Sequence, residues 1–361
     1  MTALRALTKP HSEVVRLAEN DLQEVAAFIA RESGKGPQQV EAHLRWFLLE
    51  NPARQKGIPL GWGLRGEHGE LAGCLLSSPQ DFRFRTQHVP LMGSTCFYVD
   101  SAHRSVGALI FLKYSRLNDR WALFGNSANA EAASLWKGRG ATPIPDSDRE
   151  LLGPIRWGPV LEDVIFRKTG RSSASRFVGK LGAGVASVFR HLNLDSGLSV
   201  DLAPLTSAED AAELTTSTPP EQLTSVRDVS YLRWRYFSRR DPTLALFAFR
   251  SQGVDRPVLV AVNERTRGRR DQIRSINLLD LYPAVDPEIC LQVVTGLYAR
   301  YRERVDMIVL RCMDPRRQKV FQKAGFLMRK FHGANGWFLD KHNLLPVCDF
   351  YLVPGDGDWI I

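Results

Sequence analysis

The sequence predicts an α/β protein built from two tandem copies of one unit, each a mixed, mostly antiparallel sheet flanked by helices. Two observations carry this. Three short patterns recur in the same order at nearly one offset, and strands and helices alternate in each copy in an order that favours a partly antiparallel sheet. Val15-x-Leu17-Ala18 returns as Val200-x-Leu202-Ala203. Leu44-Arg45-Trp46 followed by Asn51-Pro52 returns as Leu232-Arg233-Trp234 followed by Asp241-Pro242. Trp136-x-x-x-Gly140 returns as Phe321-x-x-x-Gly325. A chain of 361 residues is also comfortable for two domains.

In the first copy an opening strand is expected at Val14–Leu17, then helices at Leu22–Glu32 and Gln38–Leu49. Asn20-x-x-Gln23, and Ser207-x-x-Asp210 in the second copy, read as helix starts in which a polar side chain caps an Ala-rich amphipathic run. A hairpin follows at Leu60–Arg65 and Glu70–Ser77, turning on Glu67-His68-Gly69. The spacing then predicts a strand at Ser94–Val99, a helix at Val106–Leu117, a strand at Trp121–Gly125 and a helix at Ala130–Arg139. The expected domains are 1–168 and 198–361, joined by a linker at 169–197. Phe177, Leu181, Val185 and Val188 of the linker fall on one face of an amphipathic basic helix. Such a helix is expected to pack between the domains and not to serve an anionic membrane, the other role open to its pattern.

Phe97-Tyr98-Val99-Asp100-Ser101-Ala102-His103-Arg104-Ser105-Val106-Gly107-Ala108-Leu109 reads as a strand that ends in a polar turn and enters an apolar helix. Backbone N–H groups at a helix start lack internal partners, and the positive end of the helix dipole lies there. With Arg104 beside them, and Gly107 admitting an oxygen to the backbone, they form a cradle suited to a diphosphate. Arg104-x-x-Gly107 after such a strand resembles the acyl-CoA-binding signature of the GNAT superfamily of N-acetyltransferases, with Leu109 where that pattern carries Gly or Ala. The layout of each copy resembles the same superfamily over roughly nine-tenths of the chain.

The resemblance implies an acyl-CoA-dependent N-acyltransferase, with acetyl-CoA or another acyl-CoA as co-substrate and an amine of a small-molecule or sugar-like acceptor as target. It implies a coenzyme site made of Phe97, Val99, Arg104, Ser105, Val106, Gly107, Ala108 and Asn126. The family's thiolate-protonating tyrosine falls at Trp136 here and at Phe321 in the second copy, so the usual general acid is missing. Tyr98 is the replacement candidate for the acid, and Asp100 and His103 for the base. Arg45 and Trp46 lie on the helix that borders the acceptor in the family. The second copy has Asp286-Pro287 at the equivalent helix start, which adds a negative charge and removes an N–H, so the first copy is the expected coenzyme site. Two other readings stay open: a catalytically silent binding or scaffold protein of this fold, and a transferase using an acyl or aminoacyl carrier other than coenzyme A.

No apolar run approaches the ~20 residues of a membrane span, and the N-terminus lacks a signal peptide's apolar core. Five cysteines are scattered singly, without metal or disulfide spacing, and the eight histidines show no ligand pair. The expectation is a cytoplasmic protein without a metal, monomeric or homodimeric. The formal charge of +9 admits a polyanionic partner. The densest basic run is Arg265, Arg267, Arg269, Arg270 and Arg274, placed between strands at Val258–Val262 and Ser275–Leu281. It reads as a solvated hairpin tip, and no zinc-finger, basic-zipper or ribonucleoprotein signature accompanies it to suggest nucleic acid.

Overall fold

A computed structural model describes residues 13–169, 192, 194, 201–215, 222–239, 241–250, 256–283, 285–330 and 335–341. The linker helix expected around Phe177–Val188 lies outside the described residues, as does Cys348.

The first half opens with β1 (Glu13–Leu17), α1 (Leu22–Ser33) and α2 (Pro37–Leu44). A π-helical turn, Arg45–Leu49, extends α2. The start of α1 differs from expectation. A 3₁₀ turn at Glu19–Asp21 precedes it, in which the Asp21 carboxylate accepts from the Ala18 amide at 2.7 Å, and α1 has no side-chain cap, whereas Ser207 does cap its helix through the Asp210 amide at 3.1 Å. Next come β2 (Gly61–Arg65), β3 (Leu71–Phe84) and β4 (Gln87–Val99). The last two form a hairpin much longer than the apolar runs suggest, because Gln80–His88 is polar yet still pairs across the strands. After α3 (Ala108–Ser115) the half continues with β5 (Ala122–Ala128), α4 (Ala130–Gly138), β6 (Thr142–Pro143), β7 (Arg149–Pro154) and α5 (Trp157–Thr169).

The second half repeats this order with β8 (Asp201–Pro204), α6 (Ala208–Glu213), β9 (Thr224–Ser225), α7 (Val229–Leu232) and a second π-helical turn at Arg233–Phe237. Then follow β10 (Leu244–Arg250), β11 (Val258–Arg267), β12 (Ile273–Tyr282), α8 (Pro287–Tyr301), β13 (Met307–Arg311), α9 (Pro315–Lys323), β14 (Leu327–Lys330) and β15 (Asn335–Leu339). Arg265, Arg267 and Arg274 therefore lie within strands, and only Gly268–Gln272 form the tip.

Each sheet holds one parallel pair, β4 with β5 and β12 with β13, among otherwise antiparallel neighbours. The order of the first sheet is β1-β2-β3-β4-β5-β15-β6, and that of the second is β14-β7-β13-β12-β11-β10-β8. The halves have thus traded their last strands. β15 lies against β5, pairing Phe338 with Phe124, and β7 lies against β13, pairing Leu152 with Val309. Side chains follow the trade. Phe338 packs with Phe82, Leu91 and Phe124, while Leu151 joins the core of the second half. Gly153 permits the seating of β7, since a Cβ there would lie 2.4 Å from the Phe326 ring.

The seam between the halves is itself a core. Leu22, Val25, Leu44 and Trp46 of the first half share one apolar cluster with Tyr231, Leu232, Trp234 and Leu279 of the second. Trp46 and Trp234, equivalent in the repeat, stack with ring centroids 5.4 Å apart. Burial of each large side chain in such a seam contributes about 1.5–3 kcal/mol.

Candidate functional site

Strands β4 and β5 are paired only where Leu91–Gly93 meet Ala122–Phe124. Beyond Gly93 they diverge, and a cavity of about 290 Å³ opens between them. Thr95, Cys96, Phe97 and Tyr98 line one side, Ser127 and Asn129 the other, and Phe111 and Trp136 contribute apolar walls. A bulge sits on the open strand. Cys74 pairs with Tyr98 and Leu76 with Thr95, so Leu75 alone faces both Cys96 and Phe97. Cys96 takes φ +52°, a left-handed conformation uncommon outside glycine. A bulge leaves a residue out of the ladder and re-aims its neighbours. Here it lies where the strands part, beside a space that no described strand fills.

The floor is rigid. Trp136 is 2 % exposed and meets Phe111 edge-on, with ring centroids 5.1 Å apart. Behind Phe111, the Tyr114 hydroxyl donates to the Met92 carbonyl at 2.8 Å, and full burial holds its pKa well above the ordinary phenol value. Asn129 caps α4, its Oδ1 accepting from the Ala132 amide at 2.8 Å. Cys74, beneath the bulge, donates its thiol to the Cys96 carbonyl at 3.5 Å. Burial, reinforced by the neighbouring Cys96, pushes that thiol's pKa well up and keeps it protonated.

The residues singled out in the sequence are distributed unevenly about this cleft. Phe97 and Tyr98 line it. Cys96 and Tyr98 pack toward the α1–α2 side, as the strand period requires. Asn126 does not line the cleft; its neighbours Ser127 and Asn129 do. Val99 is turned toward Gly107, and this changes the reason for the glycine. A Cβ at Gly107 would lie 2.9 Å from Val99 Cγ2, so the missing side chain serves packing and does not clear the backbone for an oxygen. Ser101–Val106 form a 3₁₀ helix ahead of α3, where a direct entry into the helix was expected. Its i→i+3 bonds occupy amides of the turn, including His103 to Asp100 at 3.0 Å and Gly107 to Arg104 at 3.3 Å. Arg104 and Ser105 are exposed on that segment, Val106 is half-buried, and Ala108 opens α3.

Asp100 and His103 do not line the cleft. The Asp100 carboxylate caps the 3₁₀ helix through the Ala102 amide at 2.9 Å, which accounts for its position. Arg45 is exposed and paired with Glu41 at 3.3 Å. Trp46 lies in the seam and not on the cleft, because its indole and its carbonyl are both bonded to Trp234. Thr95, Ser127, Asn129 and Ala132 are among the lining residues missed in the sequence. For Asn129 a signal was present, an Asn one residue before an Ala-rich helix.

The second half diverges at the same point. Its β12 and β13 pair only through Ser275–Asn277 and Met307–Val309. The helix that follows starts at Asp286-Pro287 with Glu288 in its first turn, which places acidic groups where the first half has Arg104. Asp280 of β12 is fully buried and accepts from Arg227 Nε at 2.8 Å and from the Tyr236 hydroxyl at 2.9 Å.

Among the described residues no cluster of three or more His, Cys, Asp or Glu is placed to hold a metal ion, and no helix is long and apolar enough to cross a membrane. No family model matches the chain, and no curated protein matches it by sequence. Solved structures do match. A GCN5-related N-acetyltransferase from Anabaena variabilis ATCC 29413 superposes with a TM-score of 0.54 at 12% identity, covering 91% of this chain and 72% of that one. The N-myristoyltransferase of Saccharomyces cerevisiae with bound myristoyl-CoA gives 0.54 at 11% identity, over 93% and 79% of the two chains. A conserved protein of unknown function from Enterococcus faecalis V583 gives 0.56 at 8% identity, over 91% and 72%. At these identities the likeness concerns architecture, and the chain has the fold of the GNAT acyltransferases in tandem form.

Proposed function

We propose that the protein is an acyl-CoA-dependent N-acyltransferase whose coenzyme site is the cleft between β4 and β5. The observation that carries this reading is the parting of those strands beyond Gly93 with a bulge at Cys96–Phe97. An extended pantetheine carries amides that need main-chain partners, and an unpaired length of strand supplies them. In this reading Thr95–Tyr98 hold the pantetheine arm, and Arg104 neutralises the phosphates at the cleft's outer end. The site belongs to the domain proposed at 1–168, with 169–197 as linker and 198–361 as the partner domain.

Transfer requires the neutral acceptor amine to attack the thioester carbonyl, the C–S bond to break, and the proton shed by the amine nitrogen to end on the departing thiolate of coenzyme A. Trp136 at the floor has only an indole N–H and no proton to give at neutral pH. Tyr98 and Cys96 are cleft residues with a transferable proton, and the Tyr98 phenol is the proposed acid for the departing thiolate. The acceptor approaches from the α1–α2 side, toward which Tyr98 and Cys96 pack. Acetyl is the proposed acyl group and a small-molecule or sugar-like amine the proposed acceptor.

Native mass spectrometry with acetyl-, octanoyl- and myristoyl-CoA tests the reading. One adduct per chain is expected, and loss of the acyl mass should follow when a panel of amines is supplied. Saturable binding without turnover, and a Tyr98→Phe variant identical to wild type, would leave a binding protein of this fold. No adduct with any thioester would remove coenzyme A as the carrier.

A further inference from the structure

The arginines of the β11–β12 hairpin play no part in the proposed acyl-transfer site, yet two of them face a second cavity. Asn263, Arg265 and Arg267 are spaced by two along β11, which puts them on one face of the sheet. Register brings Asn277 opposite Asn263, and Arg311 opposite Glu150 of the exchanged strand β7. These six residues line a cavity of about 210 Å³ in the second sheet. On one side lies the apolar group of Ile273, Met307 and Val309, and on the other lies Leu279 of the seam.

Among the described residues, three guanidinium groups and one carboxylate line this cavity. Glu150, 2 % exposed, is shared between Arg267, at 3.1 Å, and Arg329. Burial lowers the pKa of Arg265, Asp241 opposes the change, and Arg267 and Arg239 add to it, so added negative charge would be favoured there. A second observation is independent of charge. Asn263 is 1 % exposed, its Oδ1 accepts from Asn277 Nδ2 at 3.1 Å, and its own Nδ2 has no hydrogen-bond partner. A buried amide donor without an acceptor is costly, and an anionic oxygen in the cavity would satisfy it.

We infer that this cavity binds the anionic group of a ligand, a phosphate or a carboxylate, through Arg265, Arg311 and the side-chain amide of Asn263. The site is separate from the β4–β5 cleft and does not depend on the acyl-CoA reading. Its position on the second sheet gives the second half a binding role of its own.

Calorimetric titration of the full-length chain with inorganic phosphate and, separately, with succinate tests the inference and distinguishes the two anions. Sodium chloride at matched ionic strength is the control. Saturable binding of at least one anion at millimolar concentration is expected. Arg265→Gln and Arg311→Gln should each weaken it by tenfold or more, the loss of one charge-assisted contact. Arg104→Ala should leave it unchanged, which separates this site from a phosphate contact in the acyl-CoA cleft. Should one variant fail to fold, the other decides. The inference is overturned if neither anion binds beyond the chloride control, or if both folded variants bind as wild type does.

Discussion

The indole N–H of Trp46 donates to the backbone carbonyl of Trp234 at 2.9 Å, and the indole of Trp234 returns the bond to the carbonyl of Trp46 at 2.8 Å. The two residues occupy equivalent places in the repeat, so the pair marks a local two-fold relation between the halves. Both carbonyls lie in π-helical turns, where the widened backbone leaves an oxygen available to a side-chain donor. The Ser238 hydroxyl also donates to the Trp234 carbonyl, at 2.7 Å, and Arg235 and Arg239 lie over the Trp46 ring.

Trp234→Phe keeps the stacking and removes one of the reciprocal bonds, leaving the buried Trp46 carbonyl without that donor. The expected loss is about 1–3 kcal/mol in urea unfolding. The double variant with Trp46→Phe should cost less than the sum of the two single changes, since the bonds share one geometry. Strict additivity in the cycle would show that the two indoles are not coupled.

The traded strands predict that damage will cross the repeat. Phe338 belongs to the second half in sequence but is buried against Phe82, Leu91 and Phe124 of the first. Phe338→Ala should cost about 3–5 kcal/mol, and hydrogen exchange should accelerate at Leu123 and Phe124, beside which β15 runs. Wild-type protein should melt in one transition. Loss of protection confined to residues 201–330 would contradict the exchange.

His43 gives a prediction about pH. It is buried against Phe47 in the seam; burial first, then Arg239, Arg235 and Lys35, push its pKa down to about 3. The folded protein therefore leaves His43 neutral where the unfolded chain, with a pKa near 6.5, takes up a proton. The sign follows: stability is full above about pH 6.5 and falls as the pH drops toward 3. Between pH 7 and pH 5 this one residue should account for about 2 kcal/mol. His43→Phe should flatten the pH dependence of the urea midpoint by that amount over this interval. An unchanged slope would show that His43 protonates in the folded state.

Much of the architecture could be read from the residues because periodicity and repetition are local properties. The equivalence of Trp46 with Trp234 and of Trp136 with Phe321, the strand at Phe97–Val99 and the helix after Asn129 all rest on near neighbours. The strand exchange was not legible. β7 and β15 carry the same alternation whichever sheet they join, and only the fit of Gly153 to Phe326 and of Phe338 to Phe124 decides between them. The bulge at Cys96 was hidden for a related reason. It is defined by what Leu75 faces across the hairpin, and Cys96 itself carries none of the residue types that usually mark a left-handed backbone. Gly107 was legible as a special position, but its cause, contact with Val99, required the packing. Arg265 and Arg267 looked like loop residues because charge in a strand is read as an ending, and here one face of the sheet retains a polar cavity.

Acyl-CoA is proposed to occupy the β4–β5 cleft of the first half, and calorimetric titration with acetyl-CoA of wild type, Ala132→Phe and Arg104→Ala decides whether it does. Ala132 lines the cleft on the first turn of α4, so a phenyl ring there would occupy the space assigned to the pantetheine. Arg104 is exposed on the 3₁₀ segment, and its loss should spare the fold. One site per chain is expected in wild type, no measurable binding in Ala132→Phe with its melting temperature preserved, and affinity weakened by about tenfold or more in Arg104→Ala. Two equivalent sites per chain, or binding by Ala132→Phe equal to that of wild type, would contradict it.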